Sequence, residues 1–326
     1  MTAAVLCLRP EADSIRAGVP APQGLSVVYR GPGDPDAPVL LREVEALVIP
    51  AVGPKLAPEL FSGAKLKLVQ VTGAGVDRLD RAHLETLAIP VANVPGGSNG
   101  ALAEYVLTSA SFLLRRLMWS SQEIRRGNYV AFRQRLLAEN IAGIEGLTVG
   151  LVGLGIIGLA VTEACIKAGA KVVYFDPAPR DAAAAGEFGA EPRSLDALLA
   201  EADVVSLHVP LLPQTRNLIG APQLARMKQG AILIQASRGG IVDEAALAEA
   251  LQAGHLGGPA VDVYTTEPPD FDNPLLALTG GAADRLLLTP HIAGVTRQAA
   301  ATLFRAAWEN VERVLRQGTV PLHRVY

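Results

Sequence analysis

The sequence predicts a two-domain α/β fold in which parallel sheets are layered with helices. Three observations carry that expectation. The length of 326 residues suits two domains of ordinary size. Short apolar runs rich in Val, Ile and Leu recur between helix-like stretches, as they do where strands are buried on both faces. Half the residues are hydrophobic but only 5% are aromatic, which favours helices packed on parallel strands over a Tyr- and Trp-rich sandwich.

In the first series, strands are expected at Ala4–Leu8, Ser26–Tyr29, Ala46–Ile49, Leu68–Val71 and Val91–Asn93. Helical stretches are expected around Arg42–Glu45, at Pro58–Ser62 and at Arg78–Leu87, with a loop over the Gly/Pro-rich run Gly31–Pro38. The turn-rich passage from Pro95 to Gly100 marks a crossing into a second domain, which opens with a helix over Ala101–Arg116. Six strands follow, at Val149–Val152, Lys171–Phe175, Val204–Val209, Ala231–Gln235, Ala260–Val263 and Leu286–Leu288. The helices between them are seeded at Leu159–Ala168, Ser194–Glu201, Pro222–Met227 and Glu244–Ala253. A last helix, Thr296 to about Arg316, lies beyond the sixth strand and is expected to return to the first domain. The expected division is therefore 1–98 with 293–326, and 99–292.

Composition narrows the function classes. Lys+Arg 29 against Asp+Glu 32 leaves a formal charge of -3, which offers no general attraction to nucleic acid or an anionic membrane. The basic run Arg115, Arg116, Arg125, Arg126, Arg133 and Arg135 reads as a solvated helix face or a subunit contact. Cys7 and Cys165 sit in apolar segments, so buried free thiols are expected, with no disulfide framework and no metal site. The apolar run Ala3–Leu8 is too short for a signal-peptide core and nothing reaches transmembrane length, so a soluble cytoplasmic protein is expected. The helix over Ala101–Arg116 is strongly apolar with few charges, which suggests a homodimer built on the second domain.

Gly153-Leu154-Gly155-Ile156-Ile157-Gly158 directly follows the strand TVGLV and opens an apolar helix. A G-x-G-x-x-G match alone is weak, but strand, glycines and helix are in register here. The first Gly allows the tight turn, the second admits a pyrophosphate to the backbone, and the third lets helix pack on strand. Asp176 closes the next strand, where a carboxylate accepts hydrogen bonds from an adenosine ribose and repels an extra 2′-phosphate. The expected cofactor is NAD rather than NADP, although Arg180, four residues on, would soften the discrimination.

Arg238, Glu267 and His291 follow the last three strands of this domain, at the carboxyl ends where open α/β sheets bind ligands. Hydride chemistry at a 2-keto acid needs a cation for the carboxylate and keto oxygen, a proton donor–acceptor, and a group that orients that donor. Arg238 suits the first task as a permanently charged fork. His291 suits the second, its reference pKa being near neutrality. Glu267 suits the third as a carboxylate on the imidazole. Taken singly, each residue has an ordinary structural reading as ion-pair partner, core histidine or loop solvator.

The passages ALAEYVLTSASFLLRR, TVGLVGLGIIG, DVVSLHVPLLPQTRNLIG, MKQGAILIQASRGGIVDEAALAEAL, AVDVYTTEP and LLLTPHIAG together resemble the D-isomer-specific 2-hydroxyacid dehydrogenase family over almost the whole length. The resemblance implies a Rossmann-type NAD-binding domain plus a split flavodoxin-like substrate (catalytic) domain, with the family's catalytic Arg, Glu and His on Arg238, Glu267 and His291. It places the backbone amides of Ala74 and Gly75 at the substrate carboxylate, together with Arg238 and His291. It assigns Ile156, Ile157, His208, Pro210, Ala236, Ser237 and Asp262 to the cofactor alongside Gly153, Gly155, Gly158 and Asp176, and puts Ser98 and Asn99 near the interdomain cleft. One departure is Gln235, where many members carry Asn or Asp. The chain ends at Tyr326, so an appended regulatory domain is not expected. Glyoxylate or hydroxypyruvate is the expected substrate. Phosphoglycerate is the alternative, for which Arg78 is the one cation in the TGAGVDRLD loop. A non-catalytic NAD-sensing corepressor on the same fold is the alternative from another class.

Overall fold

Alternation along the strands decides both sheets. In Ala46–Pro50, Ala46 and Val48 enter one buried cluster while Leu47 and Ile49 enter another, the two-residue period of a strand covered on both faces. The computed structural model describes residues 4–31, 33–178 and 182–326, which form two compact units, Met1–Ser98 with Val295–Tyr326 and Asn99–Gly294. Arg180 lies outside the described residues.

The first unit opens with β1 (Val5–Cys7), α1 (Glu11–Arg16), β2 (Val27–Tyr29), α2 (Ala37–Leu40) and β3 (Ala46–Pro50). A 3-10 turn at Pro58–Phe61, β4 (Leu68–Thr72), α3 (Arg81–Thr86) and β5 (Val91–Ala92) follow. The sheet is parallel in the order β2-β1-β3-β4-β5, the flavodoxin arrangement. One expectation fails here. The second helix lies at Ala37–Leu40, overlapping the end of the run expected to be a loop, and Arg42–Glu45 is a turn into β3. Pro38 is accepted in a first helical turn, and burying Ala37 and Leu41 anchors that turn on the core.

The second unit begins with α4 (Asn99–Leu114), α5 (Leu117–Arg125), α6 (Tyr129–Ala138) and β6 (Thr148–Val152). Next come α7 (Ile156–Lys167), β7 (Lys171–Phe175), α8 (Ala182–Glu187), β8 (Ala190–Pro192), α9 (Leu195–Glu201) and β9 (Val204–Leu207). The unit closes with α10 (Ala221–Arg226), β10 (Ile232–Gln235), α11 (Glu244–Gln252), β11 (Gly258–Val261), α12 (Gly280–Ala283) and β12 (Leu287–Leu288). All seven strands are parallel in the order β12-β11-β10-β9-β6-β7-β8, which is the Rossmann order with one strand added beyond β11. Six strands were expected. The one not anticipated, β8, is an edge strand whose Glu191 and Pro192 are exposed, so it has no apolar run to betray it.

The helix α4 buries Leu102, Val106, Ala110 and Leu113 against α7, β10 and β11. Its apolar character is thus largely spent within the unit. The large exposed apolar side chains lie instead on α5 and α6, at Leu117, Ile124, Tyr129, Val130 and Leu137. A Trp119–Phe132 ring contact at 5.2 Å joins those two helices.

The last helix, α13 (Arg297–Leu315), belongs to the first unit. Its Phe304, Trp308 and Val311 close over Val5, Cys7, Ala46, Val48 and Leu68. The buried Asn310 donates to Gln70 Oε1 (2.8 Å) and Leu322 O (3.0 Å) and accepts from Leu322 N (2.7 Å), which registers α13 on β4 and on the chain end. Cys7 and Cys165 are both free and buried, and burial pushes each thiol up to about 11. Among the described residues, no helix is long and apolar enough to cross a membrane.

Candidate active site

In the second sheet, β6 lies between β7 and β9, so the crossovers leave it in opposite directions and open a crevice at its carboxyl end. The glycine loop sits there. Gly153 has φ +103, and a Cβ on it would stand 2.6 Å from His208 O at the end of β9. A Cβ on Gly158 would stand 2.4 Å from Gly153 O, so α7 rests directly on the loop. Gly155, the N-cap of α7, is different: a Cβ there would meet nothing within 4 Å. That open space lies beside the first turn of α7, at Ile156 and Ile157, where N–H groups lack intrahelical acceptors. Loop and helix therefore fit a pyrophosphate.

Asp176, at the end of β7, accepts from Leu154 N (2.8 Å) and Ala178 N (2.9 Å), so it ties the glycine loop to the neighbouring strand end. His208 pairs through Nε2 with Ser206 Oγ at 2.9 Å, and desolvation lowers its pKa to about 4, which keeps the ring neutral. Pro210 is exposed and its carbonyl accepts from Thr215 Oγ1. Asn99 donates to Ile156 O at 3.3 Å, joining the start of α4 to the first turn of α7.

The strands β10, β11 and β12 are neighbours, so the segments carrying Arg238, Glu267 and His291 leave one edge of the sheet side by side. Buried Gln235 organises the first segment. Its Nε2 donates to Arg238 O (2.8 Å) and its Oε1 accepts from Ser237 Oγ (2.8 Å), spanning the turn through half-buried Ala236. The extra methylene relative to Asn gives it that reach. Arg238 Nη1 donates to Ser237 O at 2.8 Å. Gly239 then meets the next segment so closely that a Cβ would lie 1.8 Å from Tyr264 O.

Glu267 Oε1 accepts from Tyr264 N (3.1 Å) and its Oε2 accepts from His291 Nδ1 (2.8 Å). Because a carboxylate only accepts, Nδ1 carries the hydrogen and Nε2 is the basic nitrogen of the neutral ring. Both side chains keep some solvent contact, at 22% and 31% exposure for His291 and Glu267. His291 has φ +54, a left-handed conformation disfavoured for a residue with a side chain. Asp262, fully buried, imposes it: its carboxylate accepts from Thr289 Oγ1, Ile292 N and Ala293 N, and its carbonyl from His291 N. Tyr105 Oη and Tyr264 Oη complete this cage on Thr289. Asp262, which the resemblance assigns to the cofactor, also holds the His291 loop through its oxygens. The contributions of Thr289, Tyr105 and Gly239 were missed, although the double glycine after Arg238 signals a close backbone approach.

In the first unit, Val94 N donates to Gly73 O (2.9 Å) and Asn93 Nδ2 to Ala74 O (2.7 Å). In a trans peptide the next N–H points opposite its carbonyl. The amides of Ala74 and Gly75 are thus turned away from those partners, and neither donates a hydrogen bond among the described residues. Arg78 is buried and folds back on its own unit, donating through Nε to Pro54 O (2.9 Å) and through Nη1 to Pro50 O (2.8 Å). Among the described residues, no cluster of His, Cys, Asp and Glu could hold a metal ion.

Residues 107–293 match the NAD binding domain of the D-isomer specific 2-hydroxyacid dehydrogenases. The chain belongs to this family. Among curated members, it is 38% identical over 266 residues to the D-3-phosphoglycerate dehydrogenase of Archaeoglobus fulgidus, covering 80% of this chain and 48% of that protein. It thus spans about half the length of the phosphoglycerate dehydrogenases it matches. With the glycerate dehydrogenase of Methylorubrum extorquens it shares 35% identity over 260 residues, 79% of each chain. A solved structure from Thermus thermophilus superimposes with a TM-score of 0.82 at 34% identity, covering 99% of this 2-hydroxyacid dehydrogenase family member and 100% of that chain.

Proposed function

We propose that this protein is an NAD-dependent dehydrogenase that interconverts a small 2-keto acid and its D-2-hydroxy acid, acting as a glyoxylate or hydroxypyruvate reductase. The observation that carries the reading is the Glu267–His291 pair at 2.8 Å, on a strand end beside that of Arg238. NAD, when bound, supplies or accepts the hydride. His291 presents Nε2 to the substrate oxygen, giving it a proton on reduction and taking one on oxidation. Glu267 holds the ring in that tautomer and stabilises the imidazolium. The Arg238 guanidinium polarises the keto group and pairs with the carboxylate. The amides of Ala74 and Gly75 are the anion nest assigned to that carboxylate. The cofactor is assigned to Gly153, Gly155, Ile156, Ile157, Gly158, Asp176, His208, Pro210, Ala236, Ser237 and Asp262.

One detail bears on the substrate. Arg78, the one cation of its loop, is buried and held by Pro50 O and Pro54 O, which argues against a phosphate group on C3. The exposed apolar residues of α5 and α6 support a homodimer built on the second unit. Two buried free thiols suit a reducing compartment, here the cytoplasm.

The test is a set of initial rates of NADH and NADPH oxidation with glyoxylate, hydroxypyruvate, pyruvate, phenylpyruvate and phosphohydroxypyruvate. Turnover of glyoxylate or hydroxypyruvate, abolished by His291→Ala, is expected. Turnover of phosphohydroxypyruvate alone would move the reading to phosphoglycerate dehydrogenase. Intact NADH binding without any turnover would favour a nucleotide-sensing scaffold.

A further inference from the structure

At the opposite end of the second sheet, where β10, β11 and β12 begin, lies a hollow of about 490 Å³. Arg116, Arg135 and Arg285 line it together with Trp119, Glu139 and Gln229. Each arginine reaches it from a different element. Arg116 follows the last turn of α4, Arg135 stands on α6, and Arg285 precedes β12. The hollow lies at the amino ends of these parallel strands and His291 follows the carboxyl end of β12, so the two sites are at opposite ends of the sheet.

The guanidinium groups are anchored from behind. Arg285 donates to Gly281 O (2.9 Å), Leu256 O (2.6 Å) and Leu251 O (2.8 Å), and Arg116 Nη1 donates to Gly257 O (2.6 Å). Arg135 stacks 4.3 Å above the Trp119 ring and donates through Nε to Glu139 Oε1 (2.6 Å). These partners are neutral carbonyls apart from Glu139, so three cations face one carboxylate around the hollow. The neighbouring Lys228 is itself paired with Asp203 and does not change the balance. Arg116 Nε is buried without a hydrogen-bond partner among the described residues. Desolvation lowers the pKa of both Arg116 and Arg285; the neighbouring arginines push the same way, and Glu139 opposes them. Three anchored, partly desolvated guanidinium groups with uncompensated charge form a forked receptor for a doubly charged oxyanion. The volume falls in the range of small-metabolite sites.

We propose that Arg116, Arg135 and Arg285 form a second ligand site, remote from the glycine loop, that binds a small phosphate-class oxyanion. Binding there bridges α4, α6 and the entry to β12, and so stabilises the second unit. The proposal does not depend on which 2-keto acid the protein reduces.

The experiment is calorimetric titration of the full chain with inorganic phosphate, sulfate and citrate at constant ionic strength, with saturating NADH filling the glycine loop. Phosphate and sulfate are expected to bind at one site per chain and to raise the unfolding midpoint, while chloride is inert. Citrate binding alone would identify a carboxylate receptor and overturn the phosphate assignment. Arg135→Gln, at a half-exposed position that leaves the core intact, should weaken phosphate about tenfold with NADH affinity unchanged. Arg116→Gln should do the same, and Arg135→Lys should recover only part of the loss because the fork is gone. Absence of binding in the wild type, or equal binding in all variants, would overturn the proposal.

Discussion

Replacing Gly239 by Ala would put a methyl carbon 1.8 Å from Tyr264 O, 2.1 Å from Tyr264 C and 2.6 Å from Thr265 N. An ordinary contact begins near 3.4 Å, so the two segments must part by about 1.6 Å. All three atoms are backbone, and no rotamer change relieves the clash. The displaced segments carry Arg238 on one side and, through the Tyr264 N to Glu267 Oε1 bond, the Glu267–His291 pair on the other. Misplacing reacting groups by about 1 Å costs on the order of 100-fold in rate. Overpacking costs roughly 1–3 kcal/mol, a fall in Tm of several degrees for a protein of this size. The expected result for Gly239→Ala is a kcat/KM about 100-fold lower in NADH-linked assays, while the glycine loop, on other strands, stays in place. Gly143→Ala is the control, since a Cβ there meets nothing within 4 Å. A Gly239→Ala protein with wild-type Tm and a kcat/KM within about threefold of wild type would refute the claim that this contact sets the geometry.

Asp176→Ala removes the acceptor for Leu154 N and Ala178 N, so KM for NADH should rise about tenfold or more while NADPH gains relative to NADH. An unchanged NADH/NADPH ratio in paired initial rates would contradict that role. Gln235→Leu leaves the Arg238 carbonyl and the Ser237 hydroxyl without their buried partner, and should cost about 1–3 kcal/mol in denaturant melts and lower kcat at least tenfold. Both thiols should resist a thiol-specific disulfide reagent at pH 8 and react only on unfolding. Their folded values near 11 exceed 9.0, so their stabilisation is complete below pH 9 and is lost as pH climbs towards 11. A flat Tm from pH 8.5 to 11 would sink that reading. His208 has the opposite sign: its value falls from 6.5 to about 4, so its contribution is present above pH 6.5 and disappears as pH drops through 4. His208→Asn should flatten the acid limb of a Tm–pH curve by that amount.

The strands buried on both faces were legible because Val, Ile and Leu runs such as Leu68–Thr72 and Ile232–Gln235 have no other stable home. The glycine loop was legible for a related reason. Gly153 and Gly158 mark backbone approaches that no side chain tolerates; Gly158 rests on Gly153 and Gly153 on His208, but the spacing of the glycines after a strand is itself local in sequence. Elements held by few or mixed contacts were not legible. The edge strand β8 has one buried residue, and the short helix at Ala37–Leu40 hides in a Pro-rich run. The helices α5 and α6 are joined by a single ring contact and a stacked arginine.

By itself, then, the sequence determined the α/β class, the order of strands and glycines, and the identity of the polar residues at three strand ends. Local periodicity and residue chemistry are sufficient for those. Only the tertiary structure decided that Glu267 Oε2 meets His291 Nδ1, that Asp262 turns the His291 backbone left-handed, and that Gln235 spans the Arg238 turn. It also decided that Arg78 is spent on two carbonyls, while Arg116, Arg135 and Arg285 share one hollow. These are contacts between residues distant in the chain or at the exits of neighbouring strands. Their geometry follows from sheet order and backbone approach, which no single stretch of sequence encodes.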